Sequence, residues 1–225
     1  MIVLLCLESP SPSPASRAAL CLASTLGDKA EVVVLSAGGA TGSASFELAR
    51  QSAAVRRIVH LQDTGLREPD FFTLGMVLAE AARHLEARVV VAGQHTDIEG
   101  QGLVPAALAH HLRAPLFARV QSATLPPSGQ GVLKITVRAG GKLCTVASPL
   151  PVVLSTSEGE LGSMPPREAG QSAPTVETLS LAQLGMAASL LVPRPGLLGI
   201  LAPAQGHGIE SKSFDESARI LLRGR

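Results

Sequence analysis

Residues 88–112, RVVVAGQHTDIEGQGLVPAALAHHL, constrain the fold more tightly than any other stretch of the chain. Arg88 to Ala92 reads as a strand, Gly93 to Gly102 as a glycine-rich polar loop, and the rest as an apolar helix. A strand without a polar face must be covered on both sides, as in a parallel sheet enclosed by helices. Strand, glycine loop and helix start also make an anion site. The first N–H groups of a helix lack intrahelical partners, and glycines let a ligand approach the backbone.

The remaining sequence repeats this alternation. Ile2 to Leu7, Glu31 to Leu35 and Arg57 to Leu61 read as further strands, with helices over Ala15–Leu26, Phe46–Ala54 and Phe71–Glu86. Phe71, Leu74, Leu78, Ala81 and Leu85 recur at helical steps. The βαβαβαβα order predicts an α/β, doubly wound, mainly parallel Rossmann-like sheet. Ligands of such sheets bind beyond the carboxyl ends of the strands. The loops at Glu8, Ser36 and Gly93 fall there, and Ser36 to Gly42 adds a second glycine-rich turn. The serines alternating with Pro10, Pro12 and Pro14 exclude helix and read as a solvated loop or a semi-rigid lid.

From Leu116 the pattern changes. Leu116–Ser122 reads as a strand, Val132–Arg138 and Lys142–Ala147 as an antiparallel hairpin across Ala139-Gly140-Gly141, and Pro151–Ser155 as a short strand. Beyond Ser157 the glycines and prolines follow no period, which predicts an extended arm. One or two helical turns are expected over Leu179–Met186, and a final helix over Asp215–Leu222. Residues 1–157 are thus expected to form a nucleotide-binding domain, and 158–225 an extended partner-binding arm with a C-terminal helix.

Composition narrows the function. A net charge of +1 over 225 residues gives no electrostatic case for nucleic acid or an anionic membrane. Aromatics are 2%, without Trp or Tyr, so base-stacking platforms are missing. Cys6, Cys21 and Cys144 fit neither a zinc pattern nor a disulfide framework. With no signal peptide and no apolar run near the ~20 residues that cross a bilayer, a cytoplasmic protein without membrane insertion is expected.

Within the central loop, Thr96, Asp97, Glu99 and Gln101 offer hydrogen-bond partners for ribose hydroxyls or an adenine amine. The N–H groups near Gly100, Gln101 and Gly102 suit one phosphate, and no P-loop lysine is present for more. His95 reads as a local or ligand-contacting imidazole, with general-base work as the rival reading. His110 and His111 lie on different helix faces, and no nucleophile elbow occurs. Metal sites and acid–base catalysis are therefore not expected. The chain reads as a holder rather than an enzyme, with any redox or group chemistry left to a bound cofactor.

With these pieces laid out, the chain from Ile2 to Met186 resembles the β subunit of electron transfer flavoproteins. Ile2–Leu7 and Val32–Gly38 are similar to the family's first two strands and second turn. Val89 to His95, followed by an acidic stretch and Gly102, resembles its signature G-[KR]-Q-A-x-D loop. Leu150–Ser155 resembles its LPAVVTV strand, and Ser163-Met164-Pro165 its partner-docking loop. The signature loop is shorter here, ends in Glu99-Gly100-Gln101-Gly102, and the insertion after the first strand is reduced to the Pro/Ser stretch. This form is similar to the divergent β subunits that accompany demethylating dehydrogenases.

The resemblance implies a heterodimer with an α subunit that holds most of a shared FAD. It also implies electrons received from a donor dehydrogenase and passed to a membrane quinone reductase. AMP would contact Cys6, Ala37, Gly38, Gly93, Gln94, His95, Thr96, Asp97, Gly100, Gln101 and Gly102, and Met164 and Pro165 would dock the partner. Two other readings stand beside it: an adenine-nucleotide sensor of the universal-stress type, and a structural β subunit that has lost its nucleotide.

Overall fold

A computed structural model describes residues 1–7, 12–38, 44–63, 66, 70–94, 102–126, 131–157 and 164–191. The apolar runs become strands β1 (Ile2–Leu7), β2 (Glu31–Ala37), β3 (Val55–Leu61) and β4 (Ala87–Gly93). They alternate with helices α1 (Pro14–Leu26), α2 (Ala44–Gln51), α3 (Phe71–His84) and α4 (Leu103–Leu112). Then follow β5 (Leu116–Phe117), β6 (Val120–Thr124), β7 (Val132–Ala139), β8 (Lys142–Pro149), β9 (Val152–Thr156) and β10 (Thr175–Leu179). The main sheet has seven parallel strands in the order β10-β3-β2-β1-β4-β9-β5, and β6-β7-β8 form a separate antiparallel sheet. The α/β, mainly parallel Rossmann-like class read from the sequence is the class observed.

Two apolar layers sandwich the main sheet. On one face, Ala19 and Leu22 of α1 and Phe46 of α2 pack on Leu5, Val34 and Val89. On the other, Val77 and Leu78 of α3 and Leu108 of α4 pack on Leu4, Val33 and Val90. Burying a side chain such as Leu22 or Leu108 contributes about 1.5–3 kcal/mol. Propensity differences among ordinary residues reach only about 0.7 kcal/mol. Tertiary burial therefore decides where these helices lie. The helices that follow the neighbouring strands β1 and β4 lie on opposite faces, so a crevice opens between the carboxyl ends of those strands.

The differences from the sequence expectation have local causes. Pro14 does not lie in a loop; it is the first residue of α1, where its missing N–H costs nothing and Ser13 caps the helix. Leu116–Ser122 is two strands, because Arg119 turns left-handed (φ 58°) and carries the chain from the main sheet into the antiparallel one. After the hairpin, β9 returns to the main sheet between β4 and β5. Thr175–Leu179, within the region expected as an extended arm, is the edge strand β10, paired with β3. Leu181 to Gly185 forms turns rather than regular helix, and a 3-10 turn follows at Ala188–Leu191. The helix expected over Asp215–Leu222 lies outside the described residues.

The chain returning from β9 to β10 is tied to the end of α2 by Arg167. Its Nε donates to the Arg50 carbonyl at 2.8 Å, and one terminal nitrogen donates to the carbonyls of Ser52 and Val55, both at 2.7 Å. Its own N–H donates to the Gln51 carbonyl at 2.7 Å. Carbonyls at a helix end, which have no intrahelical donor, are thereby satisfied.

Helices α3 and α4 cross at a glycine. A Cβ on Gly75 would sit 2.5 Å from Ala107 Cβ and 2.8 Å from the Leu108 nitrogen. Gly75→Ala is therefore expected to lower stability by about 1–3 kcal/mol, despite alanine's better helix propensity. Urea unfolding reads this as a lower midpoint with an unchanged slope.

Candidate functional site

The crevice is built from three adjacent strands. Cys6 of β1 lies opposite Leu35 of β2 and Ala92 of β4, and Leu7 lies opposite Ser36. At about 4.8 Å per strand, the ends of β2, β1 and β4 span about 10 Å. Cys6, Ala37, Gly38, Gly93 and Gln94 thus share one edge of the sheet, with Gly102 beside Gln94. His95, Thr96, Asp97, Gly100 and Gln101 lie outside the described residues.

Gly93 is occupied by the chain itself. A Cβ there would fall 2.9 Å from the Ser16 nitrogen and 3.1 Å from Ser16 Oγ, in the first turn of α1. That turn is held by Ser13, whose Oγ accepts from the Ser16 N–H at 3.1 Å. Thr156 at the end of β9 completes the joint. Its hydroxyl donates to the Ala15 carbonyl at 3.0 Å, and its carbonyl accepts from the Gln94 N–H at 2.7 Å. The contact made by Gly93 in this fold is with a helix.

Helix α4 begins differently. Its N-cap, Gly102, is left-handed (φ 62°, ψ 22°), and no side chain caps the helix. A side chain at Gly102 would collide with the Gln94 carbonyl. Pro105 in the first turn has no N–H to satisfy. Close by, the buried Gln94 Oε1 has no hydrogen-bond partner among the described residues, and at the end of β2 the same holds for Ser36 Oγ, whose residue is 1% exposed. A buried polar atom left without a partner costs about 1–3 kcal/mol, so two at one sheet edge call for a ligand there.

The turn after β2 is fixed from outside. Gly38 is left-handed (φ 69°) and donates its N–H to the Leu61 carbonyl at 3.1 Å. A Cβ there would lie 2.5 Å from the Leu66 carbonyl oxygen. Cys6 is enclosed by apolar side chains on the α3/α4 face, and burial pushes its thiol up from 9.0 to about 12. It forms a wall of the crevice and is not an ionised nucleophile.

The two expected docking residues sit elsewhere. Met164 packs against the α1/α2 core. Burial raises the pKa of the Cys21 thiol on α1, and hydrogen bonds from the Met164 and Cys21 backbones partly offset this. Pro165 is exposed, and its carbonyl accepts from the Ala53 N–H at 3.2 Å. Sequence reading placed the Ser36 loop at this edge but passed over Ser13, Ser16 and Thr156. For Ser13 the signal was present, since serine followed by proline is a helix start.

Among the described residues no group of three or more His, Cys, Asp or Glu could hold a metal. Nor is any helix long and apolar enough to cross a membrane. A cavity of about 1050 Å³ lies away from the crevice, where α3 and α4 end, lined in part by Glu80, Arg83, His110 and Arg113.

The Cys6 thiol makes stability depend on pH. From pH 9.0 to about 12 the folded protein keeps a proton that the unfolded chain releases. Stability is therefore complete below 9.0 and falls as pH rises through that window. Urea midpoints of the wild type should fall more steeply above pH 9.0 than those of Cys6→Ala. Equal slopes would show that Cys6 is not the group responsible.

A family model described as "Electron transfer flavoprotein domain" matches residues 5–184. A search among curated proteins finds no match.

Proposed function

The chain belongs to the electron transfer flavoprotein family, and we propose that it is the β-type subunit of a heterodimeric carrier. Proteins of this family carry electrons rather than make bonds. In this reading an α subunit holds most of the FAD and the present chain covers one side of it. Bound FAD supplies the uptake and release of electrons. A dehydrogenase is the donor, a membrane quinone reductase the acceptor, and the cytoplasm the compartment. The β assignment rests on the resemblance of the four segments named above, of which Val89–Gly93 lies in β4 and Val152–Ser155 in the neighbouring β9. A sensor of the universal-stress type is not favoured, because the family match spans the flap and continues to residue 184.

The crevice of this chain is proposed to hold AMP. The observation that carries this is the start of α4, which has no side-chain cap and lies beside the unpartnered Gln94 Oε1. A helix N-terminus carries about half a positive charge. That suits a single phosphate, taken by the N–H groups of Gly100, Gln101 and Gly102. Gln94 Oε1 and Ser36 Oγ can each accept from a nucleotide hydroxyl or amine. AMP is proposed to contact His95, Thr96 and Asp97 as well as Cys6, Ala37, Gly38 and Gly93, and the partner to dock at the exposed Pro165, whose neighbour Met164 anchors that segment to the α1/α2 core.

Co-expression with the α subunit should give a one-to-one complex with the visible absorbance of bound flavin. Acid extraction should release AMP in equal amount. A colourless pair, or no association, overturns the carrier reading. Flavin without AMP leaves the carrier reading intact and makes the crevice purely structural.

A further inference from the structure

Strand β8 has an open edge and almost no cover. Lys142 to Ala147 are all exposed, and only Ser148 is buried. Leu143 is 61% exposed and Val146 36%. The cause is an overhang. Val146 lies opposite Ile135, and Cys144 opposite Val137, so both share the inner face of the flap. Ile135 and Leu133 on β7 are buried against the α1 layer, and that layer ends before it reaches β8. On the outer face Leu143 and Val132 are exposed as well.

The edge of β8 is ready to pair. Gly140 and Gly141 both have positive φ (55° and 76°) and join β7 to β8 in a two-residue turn. Such a turn makes Ala139 and Lys142 a mutually hydrogen-bonded pair. The backbone N–H and C=O groups of Leu143, Thr145 and Ala147 then point away from β7. Among the described residues no strand takes them. Charged residues and prolines protect most edge strands, yet Leu143 to Ser148 contains neither.

We infer that β8 is a docking strand, extended by a strand of a different protein chain that alternates apolar and acidic residues. Charge selects this occupant. Residues 113–157 contain Arg113, Arg119, Lys134, Arg138 and Lys142 and not one Asp or Glu. A second copy would set like charges together. The chain's own residues 192–225 are also net basic, with five Lys or Arg against three Asp or Glu. The identity of the partner as the α subunit rests on the reading proposed above.

The test uses the full chain and the α subunit. Hydrogen exchange at the amides of Leu143, Thr145 and Ala147 should slow by at least ~10-fold on association. Thr145→Pro removes an outward N–H at a position where edge strands accept proline; it breaks no backbone bond to β7 and loses only the exposed hydroxyl contact between Thr145 and Thr136 at 3.2 Å. It should weaken association by at least ~10-fold while the chain alone melts as the wild type does. Leu143→Lys and the pair Lys134→Glu with Lys142→Glu alter exposed side chains only. They should weaken association too, the charge reversal also flattening its salt dependence.

Association with unchanged exchange at β8 and wild-type affinity for all variants overturns this inference and leaves the subunit reading standing. Absence of any association with the α subunit overturns both. A self-associated chain with β8 protected, or exposure of β8 on deleting residues 192–225, overturns the choice of a different chain as occupant.

Discussion

The first turn of α1 lies directly on the backbone of β4, and the architecture of the crevice follows from that contact. It requires glycine at position 93, because any Cβ would strike the Ser16 backbone. It requires a helix start that is satisfied internally, which Ser13 and Pro14 supply. The Thr156 hydroxyl then binds the same turn to β9, and the Thr156 carbonyl holds Gln94. Three separate segments are locked at one point of the sheet edge. The crevice wall is therefore rigid where β4 ends, whatever the composition of the loop beyond it.

A rigid wall beside an uncapped helix start suits holding better than reacting. The thiol that could have acted as a nucleophile, Cys6, is kept protonated by its apolar surroundings. The polar groups at this edge, Gln94 Oε1 and Ser36 Oγ, are neutral hydrogen-bonding atoms. Such atoms can position a ligand but not move its protons. In a carrier whose chemistry belongs to a flavin, this division of labour leaves the chain to fix geometry and the cofactor to exchange electrons.

The sequence made the central strands legible because a strand buried on both faces has nowhere to put a polar residue. Helix α3 was equally plain from its periodicity. The edge strand β10 was not, since Thr175-Val-Glu-Thr-Leu179 is half exposed and reads as loop. Arg119 takes a left-handed turn without a glycine to announce it. Gly93 was legible as a close approach but not as an approach by a helix, because a glycine records only that something is near. The hairpin was visible in Gly140-Gly141, whereas the overhang of β8 depends on where the α1 layer stops, which no local pattern encodes.

The Arg167 tie has a consequence for how the chain is made. Arg50, Ser52 and Val55, whose carbonyls it satisfies, belong to the first quarter of the sequence, and their donor is synthesised more than a hundred residues later. Until then those acceptors turn to water, and the outer edge of β3 waits for β10, which follows Arg167. A nascent chain can thus assemble β1 to β4 and their helices early, but it closes this flank only near the end of translation. Closing so long a loop adds little thermodynamic penalty, because loop entropy grows only logarithmically. The burden falls on time: the β3 edge stays open to other strands for most of the chain's synthesis.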